Sequence, residues 1–200
     1  MALAKSNCSN AGGATPARRG ASTAGFSLLE VLVATALLAS ALVSLAQLFA
    51  MSTRSNIGSR NSTYAAILAQ QKLEELRSLA WGFDQVGLPT SDITTDTSVT
   101  PENPVGGTGL SPSPSSALQD NTAGWVDYID GYGNKVANPG NALYARRWMV
   151  SPLPTNPNNT LVIQVLVYRV TKDRGDAEQG SVKRLPEEAR MVTVKTRKAQ

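Results

Sequence analysis

From Phe26 to Met51 the chain reads FSLLEVLVATALLASALVSLAQLFAM, and its only charge is Glu30. The 21 residues from Val31 to Met51 carry no charge, and Thr35, Ser40, Ser44 and Gln47 are their only polar members. At about 1.5 Å per residue such a run makes about 31 Å of helix, enough to cross the hydrocarbon core of a bilayer. Buried helices of soluble proteins are rarely this long and this uniformly apolar. The segment therefore reads as a single membrane span, which leaves the rest of the 200 residues for one modest domain.

Charge orients the span. Residues 1–25 hold Lys5, Arg18 and Arg19 and no acid, whereas the remaining 175 residues hold 16 basic and 15 acidic side chains. Positive charge ahead of the span predicts a cytoplasmic N-terminus and a translocated C-terminal part, although Arg54 and Arg60 beyond it weaken the asymmetry. A secretory signal peptide is the competing expectation, with Ser44-Leu45-Ala46 as a small-residue cleavage site before Gln47. Glu30 inside the apolar run and the long polar stretch before it argue against that.

Composition narrows the chemistry. There are no histidines and one cysteine, Cys8. Histidine general bases, Ser-His-Asp triads, histidine-ligated metals, internal disulfides and multi-cysteine metal sites are all removed. No Gly-x-Ser-x-Gly elbow, phosphate loop or dinucleotide fingerprint is present, so the chain reads as a non-enzyme without a cofactor. The near-neutral body lacks the basic, aromatic-rich face that nucleic-acid binding needs. The nearest cluster is a tail of Lys195, Arg197 and Lys198.

The start of the span has a distinctive order: Arg18-Arg19, then Gly25-Phe26, then Glu30, then the apolar run. This resembles the type IV prepilin signal. The resemblance implies cleavage after Gly25 by a membrane-embedded prepilin peptidase and methylation of the new N-terminal amine on Phe26. It also implies that Glu30 pairs with the Phe amine of a neighbouring subunit in a filament. The physics is compatible, because an intramembrane carboxylate needs a partner. Cleavage would also place a cationic amine one helical turn before Glu30. Residues 1–25 would then be a leader that is removed, and Cys8 would leave with it. Leu28-Leu29-Glu30-Val31, Leu68–Leu76 and Arg146-Arg147-Trp148-Met149-Val150 look most like PilV-type minor pilins and the I-type pseudopilins of type II secretion.

The helical pattern continues to Leu79, so one helix over 26–79 is expected, with 26–51 in the membrane or a filament core. Ile57, Tyr64, Leu68 and Leu79 share a face, with Ala65 and Leu76 beside them. Glu75 intrudes on that stripe, and Leu73 lies off it, facing outward to another subunit. No proline interrupts Phe26–Leu88, and Gly58 is the one point where a modest bend is expected.

The head is expected over 80–200. Its residues Gly82–Asn121, with five Pro and five Gly, read as a variable loop with at most short strands, loosest at Leu110–Ser116. Trp125–Ile129 and a segment near Lys135-Val136 flank Asp130–Asn134 as a hairpin turn. Asp127, Asp130 and Asn134 are weak calcium candidates, since three oxygen donors are too few and the spacing is not that of an EF-hand. Tyr144–Val150, Leu161–Thr171 and Arg190–Arg197 read as longer strands. Alternation predicts a central strand apolar on both faces for Leu161–Tyr168. It predicts a strand with Val192 and Val194 on its apolar face for the last. The fold class is α+β: a long N-terminal helix on an antiparallel sheet of about four strands, similar to pilins but without their frequent C-terminal cysteine pair.

The resemblance implies a structural minor pilin in the bacterial inner membrane, whose partners are the peptidase, other pilins through the helix, the assembly platform and the bilayer. After assembly it would be periplasmic or extracellular. The alternatives are a pseudopilin of a type II secretion system or an adhesive, ligand-binding tip subunit presenting 82–121.

Overall fold

The computed structural model describes residues 25–170 and 188–198. The leader residues 1–24, with Cys8, Arg18 and Arg19, and most of the charged connection that joins the last two strands lie outside the described residues. The chain falls into two units, Met1–Phe49 and Ala50–Gln200.

One helix, α1, runs from Leu28 to Ser78 and passes through Gly58 without interruption. In the first unit its apolar side chains are exposed, among them Leu37, Leu38, Leu42 and Leu48. The helix is long and apolar enough to cross a membrane, with a mean hydropathy of 2.3 over its best window and none of that window buried.

In the second unit α1 buries Ala65, Leu68, Ala69, Lys72, Leu73 and Leu76. That face differs from the expected stripe in two ways. Leu73 is 7% exposed and belongs to the core, whereas Ile57 is 50% exposed and does not. The buried residues recur at three- and four-residue steps about Lys72, so a charge sits at the centre of the apolar face and obscures its pattern.

The sheet against this face is antiparallel, in the order β3 (Val126–Ile129), β4 (Tyr144–Pro152), β5 (Thr160–Arg169) and β6 (Ala189–Thr196). Ile129, Tyr144, Trp148, Val150, Ile163, Val165 and Val167 supply its side of the core. β5 is paired on both edges, and its Leu161, Ile163, Val165 and Val167 are buried, as is Leu166 on the other face. β6 reverses its expectation: Val192 and Val194 are more than half exposed, while Thr193 and Lys195 lie on the half-buried face. The reason is Lys195. Its Nζ donates to the carbonyls of Leu76 at 3.2 Å, Arg77 at 2.6 Å and Leu79 at 2.5 Å. Those are unsatisfied acceptors at the negative end of α1, where a cation is favoured.

A short hairpin, β1 (Trp81–Phe83) with β2 (Pro89–Ser91), opens the loop region. Side-chain turns order much of the segment after β2. Asp92 Oδ1 accepts from the amides of Thr94 and Thr95, and Asp96 Oδ1 from the amide and hydroxyl of Ser98. Gly109 has a φ of +49°, and a Cβ there would lie 2.6 Å from the Asp92 carbonyl oxygen, so only glycine fits this close approach. Leu110–Ser116, expected to be the loosest part, is pinned instead. Leu110 is 1% exposed, and Ser113 exchanges backbone and hydroxyl hydrogen bonds with Val150 of β4.

Arg197 ties the C-terminal end to this hairpin. Its guanidinium stacks 3.7 Å from the Trp81 ring centroid and donates to Gly82 O, Thr90 O, Ser91 Oγ and Asn158 O. Lys195 and Arg197 are thus both occupied within the fold, and the basic tail is no free cationic cluster.

Candidate functional site: the helix start and a buried charge cluster

Gly25, Phe26 and Glu30 lie together at the start of α1. Gly25 and Phe26 precede the helix in irregular backbone. A Cβ at Gly25 would meet nothing within 4 Å, and Phe26 is 81% exposed. The peptide bond between them is therefore sterically open. Ser27 occupies the N-cap position, its carbonyl accepting from Val31 N at 3.2 Å, and Glu30 falls in the first turn. A carboxylate there is favoured by the amide dipoles of the helix start. Among the described residues Glu30 has no ion-pair partner, and every apolar neighbour from Leu28 to Val33 is at least 48% exposed.

The three calcium candidates do not come together. Asp127 is in β3 and buried, and both its oxygens are taken: Arg146 Nε donates to Oδ1 and Arg146 Nη2 to Oδ2, each at 2.7 Å, and Lys72 Nζ donates to Oδ2 at 3.1 Å. Asp130 and Asn134 meet in the hairpin turn instead. Asp130 Oδ1 accepts from the amides of Tyr132 and Asn134, and Oδ2 from Asn134 Nδ2. The turn is as expected, but its returning arm makes only a bridge from Ile129 to Lys135, on the edge of β3 opposite to β4. Among the described residues no three acids or cysteines group as metal ligands.

Asp127 anchors a cluster that sequence reasoning does not reveal. Lys72 of α1 lies 3.8 Å from the Trp148 ring centroid and donates to Thr97 O at 2.6 Å and Thr97 Oγ1 at 2.9 Å. Glu75 Oε2 is 3.2 Å from Lys72 Nζ, within ion-pair distance but misaligned for a hydrogen bond. Glu75 Oε1 pairs with Lys135 at 3.1 Å, and Lys135 also donates to Thr97 O and Val99 O. Arg146 reaches back to Leu68 O and Gln71 Oε1 at 3.4 and 3.5 Å.

Five charged side chains thus join the helix, two strands, the hairpin turn and the loop. Burial pushes the Lys72 amine below its ordinary value, more than Asp127 and Glu75 raise it. Burial alone would raise the Asp127 carboxyl, but Lys72 and the two-pronged Arg146 outweigh it and hold Asp127 low. Lys72, Asp127 and Arg146 are satisfied within the cluster, so it can position elements but offers no open site for a reactant. Its one sequence signal is Glu75, an acid on an apolar helix face. The acid is visible there, but neither its pairing with the distant Lys135 nor that of neighbouring Lys72 with Asp127 is.

Comparison with known protein families, curated proteins and solved structures returns no match.

Proposed function

We propose that this chain is a structural subunit of a type IV pilus, a minor pilin held in the inner membrane by the first part of α1 and processed after Gly25. One observation carries the reading: an accessible Gly25-Phe26 bond and a Glu30 unpaired among the described residues open a 51-residue helix that is exposed and apolar first and buried against an antiparallel sheet later. A helix of that kind has an apolar surface that only lipid or other helices satisfy. The carboxylate at its start has no partner among the described residues. A cationic α-amine on a neighbouring Phe26 supplies one, and lateral packing of helices replaces lipid in the filament.

On this reading the partners are a prepilin peptidase, other pilins that contact α1, the inner-membrane assembly platform and the bilayer. The buried charge cluster is structural, which fits a subunit whose work is assembly. The test is the mass of the mature N-terminus from membranes of the producing cell. Methylated Phe26 supports the proposal. A chain beginning at Gln47 would make the head a secreted protein and sink it, and an uncut N-terminus would leave only a membrane anchor.

A further inference from the structure

β6 lies at one edge of the four-stranded sheet and pairs only with β5. Arg197 N donates to Asn159 O at 2.8 Å, and the alternation of antiparallel pairs carries that phase back along the strand. Met191, Thr193 and Lys195 therefore turn their backbone groups to β5, whereas Arg190, Val192, Val194 and Thr196 turn theirs to the open edge. The other side of β5 agrees in phase. Leu153 N donates to Thr160 O, which points the even-numbered residues of β5 to β4 and the odd-numbered ones to β6. Among the described residues no amide or carbonyl on the open edge of β6 has a backbone partner. The residues that carry those groups are exposed, Val192 by 57% and Val194 by 56%. Sheet edges are ordinarily blunted by proline, by lysine or by a bulge. β6 has no proline and an unbroken register, and its lysine is turned inward to the carbonyls that end α1. Its one outward charge, Arg190, lies 3.7 Å from Glu188.

We infer that the open edge of β6 docks β6 of a second copy, the two strands running antiparallel about a twofold axis at Thr193, so that the two sheets join into one. The order of residues argues for a second copy over any other extended segment, because about Thr193 the strand is complementary to itself. Val192 meets Val194 of the second copy, Arg190 meets Thr196, and Met191 meets Lys195. Every open-edge residue of β6 then faces another, and each such pair exchanges two backbone bonds. The valines form apolar cross-strand pairs, and no two like charges stand opposite each other. A shift of two residues toward the C-terminus would set Arg190 against Lys198, so the charges select the register. The axis stands normal to the sheet, and the stretch of α1 packed on it therefore runs in opposite directions in the two copies. On the pilin reading such a pair joins copies carried on opposed membranes or filaments, not neighbours in one bilayer. The inference itself rests on the strand edge and not on that reading.

Sedimentation of the full chain in detergent, over a range of concentrations, measures the dimer. Val192→Pro removes an amide that faces the open edge and leaves the bonds to β5 in place. By symmetry it deletes two interface bonds, which should raise the dissociation constant about 30-fold. Val194→Pro should do the same, and melting temperature checks that both variants are folded. Disulfide trapping reads the register. In a Cys8→Ser background, Thr193→Cys should give a covalent dimer under mild oxidation. Its Cα atoms would face each other across a non-hydrogen-bonded position at about 4.5 Å, within the roughly 4.4–6.8 Å that a disulfide spans. Thr196→Cys, set opposite Arg190, should stay unlinked. A wild-type chain that remains monomeric throughout, or a Thr196→Cys chain that links as readily as Thr193→Cys, would overturn the inference. Dimers that survive both prolines would also overturn it, assigning the association to the exposed apolar part of α1. The mass of the mature N-terminus decides the pilin reading separately: an uncut chain that still dimerises through β6 upholds this edge while failing that reading.

Discussion

Replacing Asp127 by Asn tests the buried cluster at its centre. The carboxylate is 3% exposed, receives two 2.7 Å bonds from an Arg146 that is fully buried, and receives a 3.1 Å bond from a fully buried Lys72. An Asn side chain fills the same space but carries no charge. It also offers one acceptor oxygen where three donors converge. Lys72 and Arg146 would then face each other in the core with only Glu75, 15% exposed, to offset them. Removing one partner of a buried pair costs about 3–5 kcal/mol, because the remaining charge stays desolvated. Set against a total stability of about 5–15 kcal/mol, that is a large share. For a unit of this size it lowers the melting temperature by roughly 10 °C.

Thermal melts of the full chain in detergent, followed by the near-ultraviolet signal of its tryptophans, measure the change; Trp148 lies under Lys72 and reports on the cluster. Calcium should leave the wild-type melt unmoved, since the Asp127 oxygens are already bonded to Arg146 and Lys72. An Asp127→Asn variant that melts within about 2 °C of wild type, or a wild-type melt raised by calcium, would refute the assignment of Asp127 as a structural anion.

Other predictions concern the helix start and the caps. Substituting Gly25 by Leu should leave an uncut precursor, read as a mass increase in the membrane-bound chain. Glu30→Gln should still anchor but incorporate poorly into filaments, scored by the variant's share of sheared pili. Lys195→Met frees the carbonyls of Leu76, Arg77 and Leu79 and should cost about 1–2 kcal/mol by denaturant melts. Asp127 and Asp92 have carboxyls held below their usual 3.8, Asp127 by Lys72 and Arg146 against burial, Asp92 by Thr95 and Thr94 against burial. A depressed folded pKa means that the unfolded chain takes up the proton first. Their stabilisation is therefore complete above pH 3.8 and is lost as pH falls below it, which acid melts from about pH 6 to about pH 2 should show.

The two halves of α1 differ in how legible they are. The apolar run is plain in the sequence because a bilayer or a helix bundle demands uniform apolarity, and uniformity needs no partner to be recognised. The face over Ala65–Leu79 is half legible. Leu68 and Leu76 follow from their spacing, but the same pattern puts Leu73 outward and gives no sign of Lys72. A lysine on a helix face reads as solvent-facing until Asp127, Thr97 and Trp148 are brought round it by β3, β4 and the loop. β6 misleads for the same reason. Alternation assigns valines inward by hydrophobicity alone, whereas the free carbonyls at the end of α1 recruit Lys195 to the inner face and turn Val192 and Val194 outward. Leu110–Ser116 has the composition of a loose segment, and only its contact with the backbone of Val150 fixes it.

The sequence by itself determined the long helix, its apolar first part, the α+β order of elements and the four strands of the larger sheet nearly to their ends. These depend on local periodicity and on solvent preference, which adjacent residues encode. Tertiary structure alone decided which polar side chains are internal. A buried charge is tolerable only beside a counter-charge and donors that arrive from distant segments, and Lys72, Asp127 and Arg146 find each other only when helix and sheet are packed together.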